Sequence, residues 1–157
     1  MSYAFNREWL LHKFEEIRRR LLKAINQLDD EQLNWQPDVT SHSISVLIKH
    51  MDGNITERIR NGILQWEIEG GRTAELQQAF TSKAELIEVI QAGFELIIHT
   101  IRDASDERLE MTQQVRSRKR SNLDMLHQCA AHYSEHMGQV FYIAKLCLKD
   151  TYKSTSV

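Results

Sequence analysis

NLDMLHQCAAHYSEHMGQVFYIAKLCLK, residues 122–149, decides the fold class. Leu126, Cys129, Tyr133, His136, Val140, Ile143 and Cys147 recur at spacings of four and three, which is the stripe of a helix packed on one side. The run contains no proline, and its acidic and basic residues fall off the stripe. We read a long helix from about Asn122 to Lys149 whose apolar face needs other helices to cover it.

Working back along the chain, the same periodicity returns three times. Leu10, Phe14, Ile17, Leu21, Ala24 and Leu28 mark a first helix from about Asn6 to Leu28, with Asn6 as its N-cap. Ile44, Leu47, Ile48, Met51, Ile55, Ile59, Ile63 and Trp66 mark a second, from Ser43 to about Glu69, stopped by Gly70–Gly71. Leu86, Ile90, Phe94, Ile97 and Ile101 mark a third, from Thr81 or Ser82 to about Ala104. Ser82 followed by Glu85 forms a capping box at its start. The links are Asp29 to Thr40, where Pro37 disfavours helix at Gln36, the piece from Arg72 to Phe80, and the polar run 105–120. No strand-like alternation is evident. Four such helices predict an all-α four-helix bundle, one domain over residues 1–157 with a frayed tail from about Thr151.

Composition narrows the function. One proline and 6 glycines fit long helices with few turns. The charge is nearly balanced at -2, which does not suit a nucleic-acid binder, so we expect no nucleic-acid partner. The basic run Arg116, Arg118, Lys119, Arg120 reads as a solvated loop. No apolar stretch is long enough for a membrane span. Cys129 and Cys147 lie in one helix, about 27 Å apart along its axis, too far for a disulfide. With no secretory pattern near the N-terminus, these features lead us to expect a cytoplasmic protein.

The chemistry lies in the histidines. His132 and His136 are one turn apart on one helix face, and both can reach one ion. His50, on the second helix, can supply a third nitrogen. An imidazole turned toward a core is costly unless something binds it. The pair by itself is a weak motif, but it belongs to a polar ladder, Gln128, His132, His136, Gln139, along an apolar face. A second ladder, His50, Asn54, Arg58, runs beside Leu47, Met51 and Ile55. The plainer reading, satisfied core or boundary histidines, stands beside the metal reading. There is no H-E-x-x-H signature: Glu135 and Asp52 point away from the neighbouring histidines and are not placed as bases. His12 and His42 read as exposed, His99 as a boundary residue, His127 as facing water or a partner, and Trp9, Trp35 and Trp66 as core. Cys129 reads as a buried structural thiol.

With LNWQP at 33–37, SISVLIKHMDGN at 43–54 and HYSEHMGQVFYIAK at 132–145, the chain resembles the DinB/YfiT-like superfamily over essentially its whole length. The resemblance implies an up-down-down-up bundle, a divalent metal ion such as nickel or zinc on His50, His132 and His136, and a homodimer. Some members of that superfamily resemble thiol S-transferases that use bacillithiol, mycothiol or glutathione. The expected function is thus a metal-dependent transfer of a small-molecule thiol to an electrophile, with Asn54 and Arg58 orienting the substrate and Gln128 and Gln139 lying around the ligands. The alternatives are a metal-dependent hydrolase and a non-catalytic metal-binding stress or interaction protein.

Overall fold

A computed structural model describes residues 2–69 and 79–156. Its elements in chain order are α1 (Ala4–Ile25), α2 (Asp30–Asn34), α3 (Ile44–Ile55) continued by a π-helix (Thr56–Ile63), α4 (Lys83–Asp103), α5 (Asp106–Glu110), β1 (Thr112–Val115), β2 (Arg118–Ser121), α6 (Asn122–Leu148) and a closing 3-10 turn (Lys149–Thr151). The long helices α1, α3, α4 and α6 form an all-α bundle.

Contacts along the helices set their directions. Asn6 meets His127 near the starts of α1 and α6, and Gln27 meets Lys153 beyond their ends, so the two run parallel. Arg7 Nη1 donates to Ile101 O at 2.7 Å and Phe14 packs on Phe94, so α4 runs against α1. His50 lies across from His136 and Asn54 from Tyr133, so α3 runs against α6. The order is therefore up-down-down-up, and α1 packs on α4 and α6, as α3 does. The core centres on Phe14, Phe94 and Tyr133, whose ring centroids lie 6.0–6.3 Å apart.

The sequence stripes are the buried ones. Leu10, Phe14, Ile17, Leu21 and Ala24 of α1 are buried, and Leu86, Ile90, Phe94, Ile97 and Ile101 of α4 are buried too. The Ser82–Glu85 capping box is present. Ser43 Oγ accepts from Val46 N and caps α3, and Ser121 Oγ accepts from Asp124 N and caps α6.

Several elements differ from the expectation. The first helix starts two residues earlier, at Ala4 with Tyr3 as N-cap, and the Asn6 side chain bonds His127 instead of capping. The short helix α2 lies within the first link, closed by a capping box between Asp29 and Gln32. The second helix does not run to Glu69. It widens into π-helix at Thr56, ends at Ile63, and leaves the helical region with Gln65 and Glu67 at positive φ (58° and 52°). Trp66, expected on its stripe, is 53% exposed. Gly70–Gly71 lie outside the described residues.

The polar link 105–120 is also more than a loop. It holds α5, capped by Ser105, and an antiparallel hairpin that pairs Thr112 with Ser121 and Val115 with Arg118. The basic run lies on its turn and second strand, with Arg116, Arg118 and Lys119 exposed and Arg120 ion-paired to Asp124 at 2.6 Å. The hairpin docks on the π-helix through one side chain. Buried Gln113 Nε2 donates to Arg58 O at 3.2 Å and to Asn122 Oδ1 at 3.0 Å. Gly62 makes room for it, since a Cβ there would collide with the Gln113 amide. The tail, expected to fray, lies along α1: Arg20 Nε donates to Thr155 Oγ1, and Gln27 exchanges two hydrogen bonds with Lys153.

Candidate metal centre

His50, His132 and His136 converge at the face where α3 meets α6. One ligand atom from each lies within 4.8 Å of the others, and all three rings are half-buried. His132 Nε2 stands 3.3 Å from Nε2 of His50 and 3.3 Å from Nε2 of His136. The i, i+4 spacing brings the two α6 rings together edge to face, with centroids 4.4 Å apart, and α3 delivers His50 edge-on to both.

Two features test whether the cluster suits a cation. An imidazole nitrogen has one proton or one lone pair, so His132 Nε2 cannot hydrogen-bond properly to both neighbours. A shared cation resolves that conflict. The spacing also fits: four-coordinate zinc with Zn–N of about 2.0–2.1 Å separates its nitrogens by about 3.3 Å. In addition, His136 Nδ1–H donates to Gln139 Oε1 at 2.7 Å. That bond puts the ring proton on Nδ1 and leaves the Nε2 lone pair facing the other histidines. Burial, followed by the neighbouring rings His136 and His50, pushes the His132 pKa below the ordinary histidine value. Burial also lowers that of His136, against the opposing hydrogen bond of Gln139. Both rings are therefore neutral at pH 7, the state a metal requires. The cluster is compatible with a divalent metal ion.

The surroundings correct parts of the ladder picture. Gln128 is exposed and takes no part in an inward row. The buried side of α6 runs through Leu126, Cys129, Tyr133, Met137 and Val140, so His132 and His136 sit on the rim of the core, and Cys147 is only partly buried. Gln139 is exposed as well but bonds His136. On α3, Asn54 faces inward and its Oδ1 accepts from Tyr133 Oη at 2.9 Å. Arg58 lies within the π-helix and pairs with Glu57 at 3.4 Å. Its charge acts on Cys129 and Tyr133. Burial raises the Cys129 thiol to about 11, so that sulfur is a neutral packing group.

Two groups that the sequence places at the surface lie beside the centre. His42 is exposed, as expected, yet close enough for its charge to lower His136. Exposed Glu135 acts on both α6 histidines in the opposite sense. His42 belongs to the chain that enters α3, and only the packing of that link against α6 brings it near. Of the others, His99 is exposed, while His127 packs on Trp9 with centroids 5.3 Å apart and accepts from Asn6. The tryptophans expected in the core, Trp9, Trp35 and Trp66, are 42%, 42% and 53% exposed.

No helix among the described residues is long and apolar enough to cross a membrane. Among solved structures, the fold is similar to a DinB-like protein from Bacillus cereus, with 16% identity and a TM-score of 0.72 over 89% of this chain and 91% of that one. It is also similar to a DinB-like protein from Bacillus subtilis, with 17% identity and a TM-score of 0.68 over 92% of this chain and 96% of that one. No curated protein matches the sequence. The model of a family described as "Protein of unknown function (DUF1572)" matches residues 4–157, and the chain with its DinB-like fold belongs to that family.

Proposed function

We propose that His50, His132 and His136 hold one divalent metal ion, nickel or zinc, and that the centre serves the transfer of a small-molecule thiol to an electrophile. The observation that carries the metal reading is the set of three Nε2 atoms around His132, with the two contacts at 3.3 Å and the His136 proton held on the far nitrogen by Gln139. Such an ion, when bound, lowers the pKa of a thiol or water that joins it. The protein's own part is to keep the three imidazoles in place, with His42 and Glu135 nearby. In the transfer, the thiol gives its proton to solvent, its sulfur bonds an electrophilic carbon, and the leaving group departs with the bonding pair. Asn54 supports the site from below by fixing α3 against Tyr133 of α6.

Hydrolysis at the same centre is the second reading. A metal-bound water with a lowered pKa can attack without a separate base. A reducing cytoplasm suits the two free thiols, Cys129 and Cys147. A homodimer has an apolar surface to draw on at Phe5, 78% exposed, and Trp9.

The test begins with untagged protein and its His50→Ala variant, analysed for bound metals. About one divalent ion per chain, lost in the variant, supports the centre. Zinc- and nickel-loaded protein is then mixed with cysteine and an aryl chloride. Metal-dependent loss of free thiol supports transfer; metal binding without it removes the transferase reading.

A further inference from the structure

A groove of about 790 Å³ opens beside the centre. It runs along α6 from Glu135 and Gln139 to Leu146, about 16 Å at the helical rise, and the link Pro37–His42 forms its other wall. Its apolar surface comes from Leu47, Tyr142, Ile143 and Leu146. At one end, Gln139 bonds the ring of His136.

Gly138 lies in the middle of this lining. Glycine weakens a helix interior and is kept where something requires it. Here no positive φ and no close neighbour requires it: a Cβ added at Gly138 would meet nothing within 4 Å. What the missing side chain preserves is the open space of the groove. The charged groups lean one way as well, with His42 the basic exception. Asp38 and Glu135 are carboxylates, and no Lys or Arg lines the groove among the described residues. Asp38 is fixed as an anion, because hydrogen bonds led by the Thr40 hydroxyl lower its pKa to about 2.

We propose that this groove binds an elongated apolar small molecule carrying no negative charge, with its head at the Gln139–His136 end and Gly138 keeping the floor clear. That this molecule is the electrophile or other substrate rests on the metal-centre reading; binding itself does not. An anionic thiol such as a multiply carboxylated one is repelled here and must approach from another side.

The test is a titration of isotope-labelled protein, metal-free and zinc-loaded, with octanol, octylamine and octanoate, followed by amide NMR shifts. Octanol and octylamine are expected to shift Leu47, Gly138 and Tyr142, with octanoate at least 10-fold weaker. Gly138→Leu is expected to weaken the binding at least 10-fold while keeping the melting temperature and the zinc content. Octanoate binding as tightly as octylamine, undiminished binding by Gly138→Leu, or no shift with any of the three overturns the proposal. Zinc content is read separately, so an empty centre with an occupied groove refutes the metal reading alone.

Discussion

Gln139 Oε1 accepts the Nδ1 proton of His136 at 2.7 Å, three residues along the same helix. The bond orients the ring and decides which nitrogen faces His50 and His132. Gln139→Leu removes it, freeing the ring to rotate and to change tautomer. Metal affinity, measured by competition with a chromophoric chelator, is expected to fall about 10–100-fold. The melting temperature of the metal-free protein is expected to change little, because the Gln139 side chain is exposed.

His132 is the shared member of the cluster, in contact with both other histidines. His132→Ala therefore leaves His50 and His136 without the ring between them. Added zinc or nickel is expected to raise the melting temperature of the parent by several degrees at saturating concentrations and that of the variant by none. A thermal melt with and without metal decides it; an equal rise in both removes His132 from the ligand set.

The lowered pKa values of His132 and His136 give a sign for the pH response. Above the ordinary histidine range, about pH 6.5, the rings are neutral in folded and unfolded chains alike, and stability is flat in this respect. As pH falls through that range, the unfolded chain takes up protons that the folded rings refuse. The metal-free protein is thus expected to lose stability as pH drops from 7.5 to 5.5. The loss should be smaller in a His132→Gln, His136→Gln double variant, as read by urea unfolding at each pH. Metal affinity falls over the same range, because protons compete for the same nitrogens.

Gln113 joins the hairpin to the π-helix and to the start of α6. Gln113→Ala leaves Arg58 O and Asn122 Oδ1 without its donor amide and is expected to cost about 1–3 kcal/mol. Gly62→Ala pushes the same amide away and is expected to cost about 1–3 kcal/mol. Since both changes break one arrangement, the double variant should cost less than their sum, which urea midpoints will show.

The stripes of α1, α3, α4 and α6 were legible because burial on one helix face imposes a 3.6-residue period on the sequence. The histidine cluster was legible for the same reason: i, i+4 spacing put two rings on one face and His50 on the inward side of another helix. The hairpin was not, because its strands are four residues long and its inward residue is Gln113, a polar group that breaks the alternation a strand normally writes. The π-helix escaped because its residues keep an apolar pattern that an α-helix would also satisfy; what distinguishes it is Gln113, some 50 residues away. Gln128 was misplaced because a ladder drawn at four-residue steps drifts around a helix, and one turn from His132 it has already reached solvent. His42 and the groove depend on how a link packs against α6, which no local period records.

The third histidine of the cluster differs from the other two in how far along the chain it comes from. His132 and His136 are neighbours on one helix, while His50 is 82 residues from His132. If the three hold an ion as proposed, the pair could take it up as soon as α6 forms, and His50 would join only when α3 has docked. Full affinity would then belong to the completed bundle, and leaving the native state would mean tearing one histidine off the ion. An ion held there acts as a latch on the α3–α6 seam. It lengthens the lifetime of the native protein by slowing its escape, with little effect on how fast the chain first finds its shape.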